Sequence, residues 1–194
     1  MKRYSILFAT VFITILLLES CKKNSVNLAD QLPALTTEGE NTFGCLIDDV
    51  PFIVDTIIAG NEEIYATTIW DSILHQYGSY ISVFTNKKFG SDSGRAITLI
   101  TIQSTEIKTG DVIQMGGDFP QYSDYQGEGY FNAGLGDDYR LYSSTYQNTP
   151  PSGEVKYTKF DIVNRIISGT FWYDAYNDDG EKVEMRDGRF DIKF

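Results

Sequence analysis

The chain has 194 residues, carries 16 Lys and Arg against 27 Asp and Glu for a net charge of −11, and contains one histidine and two cysteines. Its basic residues are scattered and outnumbered, which excludes nucleic acid as a partner, because a polyanionic backbone needs clustered Lys and Arg to release its counterions. The length suits one domain with a sizeable core, and no His and Cys spacing supports a zinc site.

The first element is an address rather than part of a fold. Lys2 and Arg3 precede an apolar run from Tyr4 to Leu18, followed by Glu19, Ser20 and Cys21. A positive n-region, an apolar h-region and a small residue before the cut make a secretory signal, and the run is too short to span a bilayer comfortably. Residues 1–20 are therefore predicted to be removed on export, leaving 174 residues with a net charge of −12. The next stretch, residues 21–41, is polar, has little periodicity and contains Pro33 and Gly39, so it reads as a tether whose job is reach.

From residue 42 to residue 194 the character changes to short β-type runs broken by Gly, Asn and Asp, and no stretch keeps a 3.6-residue apolar period. The expectation is a single all-β domain, an antiparallel β-sandwich or flattened barrel of about ten strands. Candidate strands are 41–47, 51–55, 64–70, 80–85, 96–104, 129–133, 139–145 and 154–163. Cys45, between Gly44 and Leu46, has no flanking cation to stabilise a thiolate and reads as a buried, inert thiol. Ala96 to Ile102 carries apolar residues on both parities, which predicts a central strand covered on both faces. Residues 71–77 fit one helical turn or a loop equally well. Near the end, Ile167, Phe171, Tyr173 and Ala175 share one face of a run from Ile166 to Tyr176, and Asn177-Asp178-Asp179-Gly180 supplies turn residues leading into Glu181–Arg186. Phe190, Ile192 and Phe194 alternate with Arg189, Asp191 and Lys193. Between Met185 and Phe190 the apolar positions change parity, so Asp187-Gly188 is predicted to be a bulge or a second tight turn.

Two resemblances add to this reading. Leu18-Glu19-Ser20-Cys21 resembles the lipobox of bacterial lipoproteins, in which the thiol receives a diacylglycerol and the chain is cut just before it. Glu19 departs from the small or apolar residue usual there, a departure that lipoproteins of the Bacteroidetes type tolerate. The resemblance implies lipidation of Cys21 and attachment to a membrane through it. Further on, Leu32-Pro33-Ala34-Leu35-Thr36 leading into Asn41-Thr42-Phe43-Gly44-Cys45-Leu46-Ile47 resembles the opening segment of a family of Bacteroidetes envelope lipoproteins known only as a domain of unknown function. Tyr157–Asp161, Ile167–Phe171 and Asp187–Asp191 resemble that family's closing strands. It implies a secreted, lipid-anchored β-domain and brings no catalytic residues. With Lys22 and Lys23 after the cysteine, neither an aspartate for inner-membrane retention nor an acidic cluster for surface export follows, so the expected place is the outer membrane, on its periplasmic face.

Candidate chemistry is sparse. His75, Asp92 and Ser93 occur in an order some serine proteases use, but residues 89–94 read more simply as a turn between strands, and Asp92 occupies the serine position of a Gly-x-Ser-x-Gly elbow. Asn177–Gly180 invites a calcium reading, yet aligning Gly180 with the glycine of an EF-hand loop puts Ala175 and Arg186 on ligand positions, so a hairpin turn is the simpler account. Gly136-Asp137-Asp138 and Asp48-Asp49 are read in the same way. No cofactor or metal is expected. Six of the 13 tyrosines fall between Phe119 and Tyr146, and Tyr122, Tyr125, Tyr130, Tyr139 and Tyr142 form a candidate ligand platform, with cross-strand pairing and core lining as the simpler alternative. Asp55-Thr56-Ile57 and Asp71-Ser72-Ile73 resemble the acceptor pattern of Bacteroidetes O-glycosylation, naming Thr56 and Ser72. The functional expectation is a lipid-anchored envelope protein, not an enzyme, whose β-domain binds a glycan or another envelope protein. A structural or assembly lipoprotein with no small ligand, and a hydrolase using a carboxylate pair assembled from separate strands, are the competing readings.

Overall fold

A computed structural model of the chain describes residues 27–54, 62–71, 76–89, 92–116, 125–133, 140–145 and 150–194. The all-β expectation holds: eleven strands form one nearly closed, barrel-like antiparallel sheet. They are β1 (Thr42–Ile47), β2 (Val50–Val54), β3 (Glu62–Asp71), β4 (Gln76–Phe89), β5 (Asp92–Gln103), β6 (Val112–Gln114), β7 (Tyr125–Ala133), β8 (Arg140–Ser143), β9 (Gly153–Asp161), β10 (Ile166–Tyr176) and β11 (Lys182–Lys193). Spatially the order is β2-β1-β11-β10-β8-β7-β5-β4-β3, with β9 pairing β10 and β6 pairing β9. The corner between the two halves is β10, which runs beside β9 for most of its length and meets β8 only where Tyr176 pairs Ser143.

Local chemistry explains the turns. Asp48 and Asp49 both have positive φ, 47° and 62°, and join Ile47 to its partner Val50 in a two-residue hairpin, the conformation for which Asx side chains are favoured. Asn177–Gly180 makes the predicted hairpin: the Asn177 Oδ1 accepts the amides of Asp179 and Glu181, and Gly180 takes φ 78°. The parity change near the C-terminus is the predicted bulge. Phe171 pairs Gly188 and Tyr173 pairs Met185, so Arg186 and Asp187 together oppose Trp172, with Asp187 at φ 52°.

Two expectations change. Strand β5 lies between β4 and β7, yet of its aliphatic residues Ile97 and Leu99 are buried, while Ile100 and Ile102 on the other parity are half-buried. Cross-strand neighbours shield that outer face, Tyr80 on one side of Ile100 and Glu128 on the other. Strand β6 has three residues with only Ile113 buried, too short for alternation to register in the sequence.

The interior is filled by side chains. Phe43, Phe52, Phe171, Tyr157, Tyr173, Met115 and Met185 are all buried there. Tyr157 reaches across from β9 to β4 and β5, where its hydroxyl meets the Ser79 Oγ at 2.6 Å and the Thr101 Oγ1 at 2.5 Å. Burial pushes the Tyr157 phenol up to about 12 despite those two bonds. Tyr173 crosses from β10 to β7, where a Cβ on Gly129 would lie 2.7 Å from the ring; the missing side chain lets the two halves touch. Its hydroxyl donates to the Tyr130 carbonyl at 3.1 Å, satisfying the one polar atom of the ring.

Residues 27–41 do not hang free as a tether but lie on the outer face of the sheet as a strap. A 3-10 turn, Leu28–Gln31, capped by the Asn27 side chain, begins it. Leu32 and Leu46 are each only 6 % exposed, and burying a leucine is worth about 2 kcal/mol. Pro33 sits over Gly44, where a Cβ would be 2.6 Å from the ring, and its carbonyl accepts from the Arg189 guanidinium at 3.0 Å. The strap closes on Asp191. This carboxylate, 1 % exposed, accepts the hydroxyls of Ser168 (2.6 Å) and Thr36 (2.5 Å) and the amides of Glu38 (3.1 Å), Gly39 (2.9 Å) and Glu40 (3.3 Å).

Burial alone would raise the Asp191 pKa, but the hydrogen bonds from Ser168, Thr36, Gly39 and Glu40 outweigh it and hold the carboxyl below its ordinary 3.8. A folded value below the unfolded one gives a stabilisation that is complete above the unfolded pKa and is lost as pH falls through the folded value. Acid unfolding, followed by circular dichroism, is therefore expected to release the strap below about pH 4, the ordinary carboxylate range. Asp191→Asn turns one carboxylate oxygen into a donor facing other donors, and is expected to destabilise the fold by about 3 kcal/mol and to flatten that acid transition. Limited proteolysis of the same variant should cut within residues 34–40 well before the barrel.

Candidate functional site

Of the sequence-predicted site residues, the side chains of Tyr130 and Tyr142 alone fall within the described residues. Cys21, Thr56, Ser72, Tyr122, Tyr139 and His75 lie outside the described residues, and the side chain of Tyr125, at the start of β7, does too. Tyr130 and Tyr142 are described, and they lie on opposite faces of the sheet. Tyr142 is buried inside against Phe131, with ring centroids 5.7 Å apart. Tyr130 is half-buried outside, where burial first and then hydrogen bonding and charge from Glu128 raise its pKa. The Glu128 carboxylate also accepts from the Thr145 hydroxyl at 2.6 Å. Alternation alone separates the two tyrosines: Phe131 pairs Tyr142 while Tyr130 pairs Ser143. Among the described residues no three His, Cys, Asp or Glu side chains are grouped so as to hold a metal ion.

The site the structure assembles lies elsewhere, on the outer face over the β11 bulge. A cleft of about 580 Å³ is lined by Leu35 of the strap, Leu46 and Asp49 of the first hairpin, Glu154 of β9, Phe171 and Trp172 of β10, and residues 186–189 of the bulge. Its floor is Thr170 and Trp172, the latter 39 % exposed. Because two residues of β11 oppose Trp172, the bulge turns Arg186 over the indole, 5.5 Å from the ring to the guanidinium carbon. Arg186 is held there by Asp174 at 2.5 Å, by Glu184 at 3.0 Å and by the Tyr173 carbonyl at 3.1 Å.

Arg189 differs from Arg186. Its guanidinium donates to the Pro33 carbonyl of the strap, and no carboxylate lies within ion-pair distance of it among the described residues. It therefore presents a charge that is positioned but not neutralised, at the rim of a cleft that also holds Asp49, Glu154 and Asp187. A second depression of about 450 Å³ lies between residues 106–109 and 159–163, but Lys159 there is already spent on the Thr37 carbonyl at 2.8 Å, and Phe160 is its single ring.

Trp172 was within reach of the sequence. In Ile166–Tyr176 it falls on the parity opposite Phe171 and Tyr173, the side that faces out of the barrel. What the sequence hides is the company it keeps, since Leu35, Asp49, Glu154 and Arg189 come from four separate segments. No protein-family model matches the chain, and no curated protein or solved structure matches it either. The fold and the cleft together define an antiparallel β-barrel protein with a tryptophan-floored, charge-mixed site on its outer surface.

Cys45 takes no part in this site. It is fully buried on β1, and burial drives its thiol far above the ordinary cysteine range. In a Cys21→Ser chain, Cys45 is expected to resist an aromatic disulfide reagent in buffer and to react within minutes in denaturant; prompt reaction of the folded chain would contradict the buried placement.

Proposed function

We propose that this chain is a lipid-anchored cell-envelope protein of the Bacteroidetes type, fixed to the outer membrane through Cys21, whose β-domain is a non-catalytic module that binds a ligand or partner in the outer-face cleft. The anchor reading is supported by the order of Lys2-Arg3, the apolar run and Ser20-Cys21. The binding reading is carried by one observation, the exposed Trp172 on the floor of a cleft that keeps an unneutralised Arg189 beside it. Pockets of a few hundred Å³ with an apolar floor and a few placed polar groups are the usual form of binding sites.

The strap alters what the anchor implies. A free tether of about 20 residues would reach about 70 Å, whereas the six residues from Cys21 to Val26 extend at most about 22 Å. The domain is then held close against the lipid, and several acyl chains on one cysteine make that attachment effectively permanent.

The competing hydrolytic reading has Asp49, Glu154 and Asp187 around the cleft in its favour. It requires turnover, so release of reducing ends from a bound glycan, abolished by Glu154→Gln, would replace binding with catalysis. The anchor is tested by Cys21→Ala. The wild-type chain is expected in the detergent phase after phase separation and the variant in the aqueous phase; equal partitioning of the two would remove the lipoprotein reading.

A further inference from the structure

The cleft's chemistry narrows its ligand, and this step rests on the reading of the cleft as a binding site but not on the lipid anchor. We propose that the Trp172 cleft binds a neutral oligosaccharide, with one sugar ring packed against the part of the indole that Arg186 leaves exposed and its hydroxyls shared between Arg189, Thr170 and the carboxylates of Asp49 and Glu154.

Three observations point that way. First, the lining mixes full acceptors with full donors. Asp49, Glu154 and Asp187 only accept, while Arg189 only donates. A sugar hydroxyl does both, so a neutral polyol satisfies such a lining at every position. A polyanion meets three carboxylates in the same space, and a cation leaves the Arg189 guanidinium without an acceptor. Second, the floor is not available to an extended peptide. Strand β10 is hydrogen-bonded to β9 on one side and β11 on the other, and β11 to β10 and β1, so no backbone edge is open there for strand addition. Third, the platform is rigid. Arg186 clamps the indole and is itself tied to Asp174 and Glu184, while the wall opposite is Leu35 on a strap latched by Asp191. A pre-ordered aromatic costs little side-chain entropy on binding, which suits ligands whose individual contacts are weak.

The experiment uses the full-length chain with Trp70→Phe, which leaves Trp172 as the single tryptophan reporter. Emission is followed while hexasaccharides of glucose, mannose and N-acetylglucosamine, and a hexamer of galacturonic acid, are titrated in. At least one neutral hexamer is expected to quench the emission saturably, and the uronic hexamer to bind at least tenfold more weakly. In calorimetry on chains retaining Trp70, Trp172→Ala should weaken binding at least tenfold and Arg189→Gln several-fold. Tyr130→Phe, on the other half of the barrel, should bind as the wild type does. Thermal melts confirm that each variant folds. Binding untouched by Trp172→Ala, preference for the uronic hexamer, or no binding by any of the four would each overturn the saccharide assignment. In the last case, loss of a captured envelope protein on Trp172→Ala would still uphold the cleft as a binding site, so failure of the ligand class and failure of the site are separable.

Discussion

Asp191 is a carboxylate pointed to the outside of a sheet and yet buried. Strand alternation puts it on the same parity as Arg189 and Lys193, where water would normally solvate it, but residues 36–40 fold over it and, with the Ser168 hydroxyl of β10, replace that water with two hydroxyls and three amides. No cation pairs with it among the described residues, so the charge rests entirely on oriented N–H and O–H groups. An arrangement of that kind is unforgiving in one direction. Donors gathered around an anion lose their purpose together when the anion is neutralised. The seating of residues 36–40 and the burial of Ser168 beneath them descend from this one group, while Leu32, Pro33 and the Lys159 bond to the Thr37 carbonyl fix the rest of the strap.

The second constraint is the extra residue in β11. Without it, Arg186 and Asp187 would continue the alternation of the strand, and either Met185 or Phe190 would face water. The bulge keeps both inside and moves the irregularity outward, where it bends the strand, gives Asp187 a positive φ and sets Arg186 across Trp172. Core packing and site construction are thus one solution. The register must slip for the interior to stay apolar, and the slip provides the concavity on the other face.

How far these features were legible follows from their range along the chain. The β11 bulge was visible because its signal, apolar residues changing parity between Met185 and Phe190, lies within one strand. The Asn177–Gly180 turn was visible for the same reason. The strap was misread because its evidence is dispersed: Leu32, Pro33 and Leu35 are too few to show a period, and the group that captures them is more than 150 residues away. Polar composition without a period describes a free tether and a docked extended segment equally well. The tyrosine-rich stretch shows a related limit. Density of aromatic residues along the sequence says nothing about parity, and β7 and β8 send Tyr130 outward and Tyr142 inward. Lone Trp172 carried more information than that crowd, because its parity conflicts with that of a strand otherwise well ordered.

The filled interior bears on where a barrel of this size does its work. Tyr157 and Tyr173 reach across it and are both hydrogen-bonded, so a ligand entering there would first have to unmake those bonds and displace rings from a close-packed core. Binding on the outer face avoids that cost. The outer face has its own difficulty, since a flat sheet offers shallow contact and little shelter from water. This protein answers it with material at hand: the strap supplies one wall, the first hairpin and β9 supply two more, and the bulge lowers the floor between them. The strap is also the segment that leads back toward Cys21, so under the proposed lipid attachment one wall of the cleft lies on the path to the membrane.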